Sequence, residues 1–467
     1  MPPPVAFAVW LILLLGLLYF DPAKDPKGSV ALWVPVIWIF ILGSRLPSQW
    51  LGRGVTSGVE ALEEGSPIDR TILTALILLA VLTLLSRGFA WGRCLSLNMA
   101  LVAFLAYALL SCCWSDFPLI ALKRWFRDLG NYLMIFVILS DRCPLEAVRT
   151  VLRRLAYLLI PLSILLFKYF PEMGMQYTIW SGERMFVGAT TSKNMLGVAC
   201  LLSGIYFVWD TVCSWPQRKN GRVRRILAVN TAFLGMTLWV LHLSNSATSK
   251  VCLVIACIAI FIIRSQWGRR HPGYLKAIIP ATFCLYLILA FGFNLNGQLA
   301  SEVGRDPTLT DRTLIWNTVL ALHTNPLLGT GYECFWMGPR LKWIWQAFGP
   351  INESHNGYLE VYLNLGLIGV FLIGVLLFSS YRGIWRSSLK VDFDLATLNL
   401  SIWTVMLFYN MTEAALKSGL MWLALLLGAI AVPRAPEKRV KALHSLEAVE
   451  AMSVQGWPLE STSSRRF

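Results

Sequence analysis

One histidine stands at the edge of an apolar segment, where it could take part in proton transfer. His355 lies in NESHNGYLEVYLNLG (352–366), between polar residues and a long apolar run. Imidazole gains or loses a proton near neutral pH, so His355 could act as a general base. Glu353 could orient the ring, whereas Glu360, further along, suits a structural role. The alternative is a polar residue that only marks the end of the apolar run.

The pKa of His355 determines whether it can accept a proton at neutral pH. Asn352 or Ser354 can cap a helix that begins here, which would place the imidazole in the first helical turn. The positive end of that helix would lower the pKa of His355, while the neighbouring carboxylates would raise it. If the helix end dominates, the ring is neutral near pH 7 and can serve as a base.

Other polar residues near apolar runs could bind an anionic substrate or one another. Arg312 stands in DRTLIW, and Arg184 and Lys193 stand in WSGERMFVGATTSKNMLG. A guanidinium group is permanently charged and matches phosphate oxygens, so these residues could hold a diphosphate. The alternatives are a solvated salt bridge for Arg312 and an interfacial anchor for Lys193. Glu413 and Asn410, in YNMTEAALK, are about one helical turn apart and could bond to each other.

The composition places these residues in a polytopic membrane protein. The 467 residues are 56% hydrophobic and only 14% charged, and the apolar runs recur at about the 17–25 residues that span a bilayer. A soluble chain of this length would instead form two or three domains with charged surfaces. We predict an all-α fold of about 13 transmembrane helices. Their approximate positions are 3–20, 29–44, 71–86, 96–114, 125–140, 154–170, 194–212, 226–244, 250–264, 276–293, 357–379, 395–414 and 418–433.

The net charge of +15 reflects membrane topology and argues against nucleic-acid binding. Basic loops at 218–225, 264–271 and 381–390 mark the cytoplasmic side, because positive charge accumulates there. The first apolar segment has neither a basic n-region nor a cleavage site, so we expect a retained helix. With the C-terminus in the cytoplasm, the odd number of spans then puts the N-terminus outside. Arg124 and Arg127 then lie on the outer side, against the positive-inside preference.

Four regions follow from this layout. Membrane helices 1–10 occupy 1–293, a large extracytoplasmic loop occupies 294–356, helices 11–13 occupy 357–433, and a charged, Ser-rich, disordered cytoplasmic tail occupies 434–467. Within the loop, TLTDRTLIWNTVLALHTNP predicts a helix with Thr310 as its N-cap, and LKWIWQAF predicts a short amphipathic helix. We expect this loop to form a small helical cap on the outer membrane face.

The sequence gives little support to metal chemistry. The ten cysteines lie mostly in apolar runs, and no pair has the spacing of zinc ligands. Cys334, in the large loop, is the one cysteine that we expect could react. Among the candidate residues on the outer side we identify no Asp-x-Asp or comparable metal motif. We therefore expect no metal and no other cofactor, with arginines in the place of a divalent ion.

A histidine and several bases at membrane depth suit glycosyl transfer from a lipid-linked diphosphate. Arginines would stabilise the diphosphate as a leaving group, and His355 would deprotonate the attacking sugar hydroxyl. The chain resembles the O-antigen ligase and O-antigen polymerase superfamily, and within it the exopolysaccharide-polymerase branch. The resemblance is carried by DRTLIWNTVLALHTNPLLGTGYECFW and ESHNGYLEVYLNLGLIGV, with support from ERMFVGATTSKN, LSNSATS and NMTE. One departure is Thr191-Ser192, where related chains often carry a Gly-His-type pair.

The resemblance implies a multi-helical, glycosyltransferase-C-like enzyme of the bacterial inner membrane. It would use undecaprenyl-diphosphate-linked oligosaccharides as donor and acceptor on the periplasmic face, without metal and with inversion at the anomeric carbon. His355 would activate the acceptor hydroxyl, and Arg184 and Arg312 would hold the donor diphosphate. The supporting side chains would be Lys193, Arg124 and Glu353. A chain-length regulator and a flippase would be partners, together with membrane lipids.

Three functions remain open at this point. A polymerase would join a growing lipid-linked glycan to another lipid-linked repeat unit. A ligase would use the same donor but transfer the glycan to lipid A core or to a protein, and the residues above do not separate the two. A flippase or transporter of lipid-linked oligosaccharide is less favoured, because transporters tend to have internal repeats and sites at mid-membrane, and neither is visible here.

Overall fold

Long helices form almost all of the regular structure. The computed structural model describes residues 1–23, 29–52, 65–177, 182–292, 312–322, 324–388 and 392–433. The main helices are α1 (Pro3–Phe20), α2 (Trp33–Gly43), α3 (Pro67–Ser86), α4 (Met99–Leu110), α5 (Pro118–Leu139), α6 (Pro144–Tyr169), α7 (Lys193–Ser214), α8 (Gly221–Ser244), α9 (Ala247–Arg264), α10 (Pro272–Leu287), α11 (Gly357–Gly383), α12 (Phe393–Tyr409) and α13 (Leu420–Ala429).

Short elements connect these helices. Six short α-helices are Pro47–Trp50, Trp91–Leu97, Pro171–Gly174, Gln266–Arg270, Arg312–Ala321 and Gly338–Phe348. Single 3₁₀ turns are Val30–Leu32, Ser111–Trp114 and Trp215–Gln217, and π-helical turns are Ile288–Gly292 and Ile384–Ser388. Within the described residues the sheet is one antiparallel pair, β1 (Met175–Tyr177) and β2 (Arg184–Phe186).

The chain is an all-α polytopic membrane protein, as the sequence predicts. Each of the predicted apolar segments falls on one of the helices α1 to α13. In the described part of the chain, eight helices are long and apolar enough to cross a membrane, or nine if a pair bent by 94° counts as one span. Helices α2, α12 and α13 are apolar but shorter, and α5 carries charged residues in its first half.

Burial separates central helices from peripheral ones. In the most apolar window of α6 and of α7, 78% of the residues are buried inside the protein, against 11% for α1 and 17% for the span that begins with α10. Apolar side chains that the protein does not cover face lipid in a membrane. Helices α6 and α7 therefore form the centre of the bundle, while α1 and α10 lie at its edge.

Helix α11 is interrupted at Gly366, and a loop completes the missing backbone hydrogen bonds. Gly366 has φ 63° and ψ −166°, a backbone conformation that is not helical. The N–H of Gly331 donates to the carbonyl of Asn364 (2.9 Å), and the N–H of Leu367 donates to the carbonyl of Pro326 (2.9 Å). Unpaired backbone groups at membrane depth are costly, so this pairing makes the interruption tolerable. The loop and the broken helix consequently form one unit.

An ion-pair cluster marks one end of the bundle. Arg149 on α6 pairs with Asp210 on α7 (Nε to Oδ1, 3.2 Å), and Arg264 at the end of α9 pairs with Asp394 in the first turn of α12 (NH1 to Oδ1, 2.5 Å). Helix α12 has 17 residues and so extends about 25 Å from this cluster. Its far end, at Tyr409, leads into the loop that carries Glu413.

Some predictions fall outside the described residues. They include Thr310 as an N-cap, the first part of the large loop (294–311) and the tail (434–467). Two short helices, Arg312–Ala321 and Gly338–Phe348, do lie where the loop sequence predicts them. Ile315 and Val319 are buried, which agrees with the predicted apolar stripe on the first of these helices.

We expect Gly366→Ala to destabilise the protein. A Cβ atom here would lie 2.2 Å from backbone atoms of Leu327, and the positive φ is strained for any L side chain. The free energy of unfolding should fall by roughly 1–3 kcal/mol, measured as a lower thermal midpoint in detergent. Gly374→Ala on the same helix meets no atom within 4 Å and is the matched control. Equal midpoints for the two variants would contradict the interpretation of Gly366.

Candidate active site

His355 lies in the loop before α11 and not in the helix. Its backbone has φ 52°, in the left-handed region that side-chain-bearing residues rarely adopt. The side chain of Asn356 caps α11 by accepting hydrogen bonds from two backbone N–H groups of the first turn. The prediction that Asn352 or Ser354 caps this helix is therefore wrong, because the left-handed conformation at His355 delays the helix start. Such strained residues concentrate at functional sites.

Two carboxylates contact the imidazole, and each of them also contacts a basic side chain. Nδ1 of His355 lies 3.1 Å from Oε1 of Glu353 and 3.4 Å from Oε2 of Glu413. The other oxygen of Glu353 is 2.8 Å from Nζ of Lys417. The other oxygen of Glu413 is 2.9 Å from NH2 of Arg312. We call these five residues, His355, Glu353, Glu413, Arg312 and Lys417, the His355 cluster.

Glu413 joins distant parts of the chain. Besides His355 and Arg312, it accepts hydrogen bonds from the side-chain amide of Asn194 at 3.1 and 3.2 Å. Arg312 also donates to the backbone carbonyl of Thr412. Only 7% of the Glu413 side chain is exposed, so these partners replace water around its charge. The predicted bond between Glu413 and Asn410 is absent from the hydrogen bonds of the described residues. The Asn410 side chain instead donates to the carbonyl of Met406 in α12 and accepts from the N–H of Ala415.

The cluster keeps His355 protonated at neutral pH. Burial lowers the pKa of the imidazole, but hydrogen bonds and charge attraction from Glu353 and Glu413 outweigh it and raise the pKa to about 9. Of the two directions that the sequence leaves open for the pKa of His355, the structure favours the raised one. His355 lies outside the helix, and Glu413, distant in sequence, adds a second carboxylate beside the ring to that of Glu353.

Glu353 and Lys417, which contact each other, are charged as well. Burial alone would raise the pKa of Glu353, but Lys417 and His355 hold it well below its usual range. Burial would lower the pKa of Lys417, but Glu353, Glu360 and Glu333 keep it above its usual range. The cluster at neutral pH thus contains three cations and two anions.

Glu353, His355 and Glu413 also place three potential metal-ligand atoms within 4.8 Å of one another. In this arrangement both carboxylates already face cations, since Lys417 contacts Glu353 and Arg312 contacts Glu413. A divalent ion would have to displace these side chains and the proton on His355. The geometry therefore suits an ion-pair network better than a metal centre.

The remaining predicted residues lie around the cluster at different distances in the fold. Arg184 is exposed on β2, and within the described residues no hydrogen bond or ion pair joins it to the cluster. Lys193 is the first residue of α7, next to Asn194, which contacts Glu413. Arg124 on α5 donates to the backbone carbonyl of Glu333 in the large loop. Of the predicted set, the structure brings together His355, Arg312 and Glu353.

The surroundings of Glu360 and Cys334 indicate structural roles for both residues. The carboxylate of Glu360 accepts hydrogen bonds from the indole of Trp336 (3.0 and 3.1 Å) and from the backbone N–H of Ser354, so it fixes the loop that carries His355. Cys334 is fully buried, and burial raises the pKa of its thiol. The expectation that Cys334 could react is wrong, because thiolate formation and access are both disfavoured.

Comparison with known proteins finds two sequence similarities. The sequence model of the O-antigen ligase family matches residues 231–374, which include Arg312, Glu353 and His355 but end before Glu413. The chain is 27% identical over 307 residues to the exopolysaccharide production protein ExoQ of Rhizobium meliloti (strain 1021). That alignment covers 62% of this chain and 66% of the relative, just under two thirds of its length. The chain is therefore similar to the O-antigen ligase family over residues 231–374 and to an exopolysaccharide production protein over a longer stretch, which supports an O-antigen ligase-like membrane protein.

Proposed function

We propose that this protein is a polysaccharide polymerase that transfers a growing glycan from undecaprenyl diphosphate to a hydroxyl of another lipid-linked repeat unit. The observation that carries the proposal is the His355 cluster at one end of the helix bundle. A histidine with paired carboxylates and an arginine form a site for proton transfer beside a held anion. The similarity to an exopolysaccharide production protein favours a polymerase over other glycan-transfer enzymes.

The orientation of the ring assigns the proton transfer to one nitrogen. Within the described residues only Nδ1 of His355 makes hydrogen bonds, and its partners are carboxylates. A carboxylate at Nδ1 favours the tautomer with its proton there, so the neutral ring accepts at Nε2. Nε2 takes the proton of the acceptor hydroxyl as that oxygen bonds to the anomeric carbon. The bond from this carbon to the diphosphate breaks, and undecaprenyl diphosphate leaves with its electron pair. Attack opposite the leaving group inverts the anomeric carbon.

Basic groups around His355 would hold the donor diphosphate. Arg312 lies in the cluster, and Lys193 occupies the first turn of α7, where the helix dipole favours an anion. Arg184 would reach the diphosphate from β2 on substrate binding. Once His355 has lost its proton, the two cations of the cluster balance its two anions, so Lys193 and Arg184 would supply the positive charge that neutralises the phosphate oxygens, and the proposed reaction is metal-independent.

The proposed location is the periplasmic face of the bacterial inner membrane. Helix α9 begins near the site, where Thr248 bonds to Thr412 (2.9 Å), and ends in the basic loop at 264–271. The cluster and that basic loop thus lie at opposite ends of the bundle. Because basic loops favour the cytoplasm, this arrangement supports a periplasmic site. A flippase would supply the lipid-linked units, and a chain-length regulator would end extension.

The second candidate is a ligase that transfers the same glycan to lipid A core or a protein. The observation in its favour is the match to the O-antigen ligase family model. Both functions need a base and a bound diphosphate, so the acceptor decides between them. An assay that offers both acceptors separates the two functions.

The first test is glycan extension by purified protein in liposomes with undecaprenyl-diphosphate-linked oligosaccharide. We expect the wild type to form a ladder of longer glycans with a chelator present, and His355→Gln to lose at least about 100-fold in rate, the scale of general base catalysis. Products are resolved by size. Extension only after addition of lipid A core would identify a ligase, and an undiminished ladder with His355→Gln would exclude His355 as the base.

The pH dependence of kcat/KM should report the proton on His355. Because the pKa is raised to about 9, the base is mostly protonated at pH 7, so kcat/KM should rise with pH, reach half of its maximum near pH 9 and level off above that pH. Glu353→Gln removes one carboxylate from the ring, so the rising limb should move to lower pH by about one unit. A limb that remains in place would contradict the contribution of Glu353 to the pKa.

Arg312→Met should weaken donor binding more than it weakens catalysis at saturation. Loss of charge-assisted hydrogen bonds to a diphosphate should raise the donor KM by about 10-fold or more. Arg340→Met is the matched control, because Arg340 pairs with the exposed carboxylate of Asp116 (3.0 Å) in the same outer region. Equal KM changes in both variants would indicate a general charge effect.

A further inference from the structure

Lys417 is a half-buried lysine that the proposed reaction has not used. It lies in the loop between α12 and α13, and its Nζ is 2.8 Å from Glu353. Together with polar and apolar residues, Lys417 lines a cavity of about 30 Å³.

Lys417 and His355 share the two oxygens of one carboxylate. Oε2 of Glu353 contacts Nζ of Lys417 and Oε1 contacts Nδ1 of His355, at 2.8 and 3.1 Å. A carboxylate held at both oxygens cannot rotate freely, so its position fixes the plane of the imidazole. Without Lys417, Glu353 would have only the histidine to hold it within the described residues.

The cavity explains why this lysine stays charged. Its wall includes the carboxylates of Glu333, Glu360 and Asp128, together with the hydroxyl groups of Tyr332 and Ser418. The volume is enough for one or two water molecules, which need polar partners such as these. Ser418, next to Lys417, accepts a hydrogen bond from the side-chain amide of Asn131 (2.9 Å), which fixes the loop. The lysine is therefore a charged group in a defined position.

We propose that Lys417 is a positioning residue for the proposed reaction, acting through Glu353 to orient His355 and to moderate the attraction of that carboxylate for the ring proton. The expected change in kcat/KM rests on the proposed function, whereas the orientation of His355 by Glu353 and Lys417 does not. The groups that face His355 are Glu353 and Glu413, with Arg312 behind Glu413. Those that face Lys417 are Glu353, Glu360 and Glu333.

We expect loss of Lys417 to shift the pH dependence of kcat/KM in the opposite direction from loss of Glu353. Lys417→Met removes the positive charge that competes with His355 for Glu353, so the pKa of His355 should rise. The rising limb of the pH profile of kcat/KM should then move to higher pH. Glu353→Gln moves it to lower pH. Lys417→Arg keeps the charge and should return the limb toward the wild-type position. A merely structural lysine would lower activity at every pH without moving the limb.

A second measurement separates failure of this inference from failure of the proposed function. The protein has five histidines, and NMR of ¹³C-labelled histidine in nanodiscs can follow the His355 signal, assigned by its loss in His355→Gln. We expect its titration midpoint to rise in Lys417→Met. The matched control is Lys342→Met, which removes an exposed lysine of the large loop and should leave the midpoint unchanged.

The outcomes are distinct. If wild-type protein extends no glycan but the His355 midpoint rises in Lys417→Met, the proposed function fails and the positioning role stands. If glycan is extended and neither the midpoint nor the limb moves, the positioning role of Lys417 is overturned. Should Lys417→Met fail to fold, as judged by its thermal midpoint, Lys417→Gln is measured in the same two assays, and an unmoved midpoint there overturns the role as well.

Discussion

The site depends on one buried carboxylate, that of Glu413. It contacts His355, Arg312 and Asn194, which come from three separate stretches of the chain. Breaking a buried ion pair by removing one partner typically costs about 3–5 kcal/mol, because the other charge is left uncompensated. Glu413 therefore stabilises the ends of several helices and sets the protonation of the histidine at the same time. Structure and chemistry cannot be varied independently at this residue.

The interruption of α11 places the large loop against the membrane helices. Because Gly366 leaves backbone groups without helical partners, the loop around Pro326 and Gly331 pairs with them directly. The same helix begins just after His355 and carries Glu360, which holds the loop through Trp336 and Ser354. The large loop and α11 are thus joined at two places, Glu360 and the break at Gly366. The position of His355 is set by the helix bundle and not by the loop alone.

Much of the fold could be predicted from the sequence, because long apolar runs have few alternatives in a membrane. The break at Gly366 could not, since LNLGLIGVFL is as apolar as an unbroken span. His355 and Arg312 could be singled out by residue type and setting. Glu413 and Lys417 could not be connected to them, because they lie 58 and 62 positions after His355 in the chain. The contact with Glu413 adds to that with Glu353 in raising the pKa of His355.

The backbone conformation of His355 has a consequence for protein engineering. A φ of 52° suits glycine or asparagine better than histidine, so the wild-type residue costs roughly 1 kcal/mol in folding free energy. Replacement by glycine or asparagine would relieve that strain but would leave Glu353 and the buried Glu413 without their imidazolium partner, and an uncompensated buried charge typically costs more than the strain. Selection for thermostability would therefore retain the histidine together with its strained backbone, and a stabilised form for structural work is better sought at the lipid-facing helices α1 and α10.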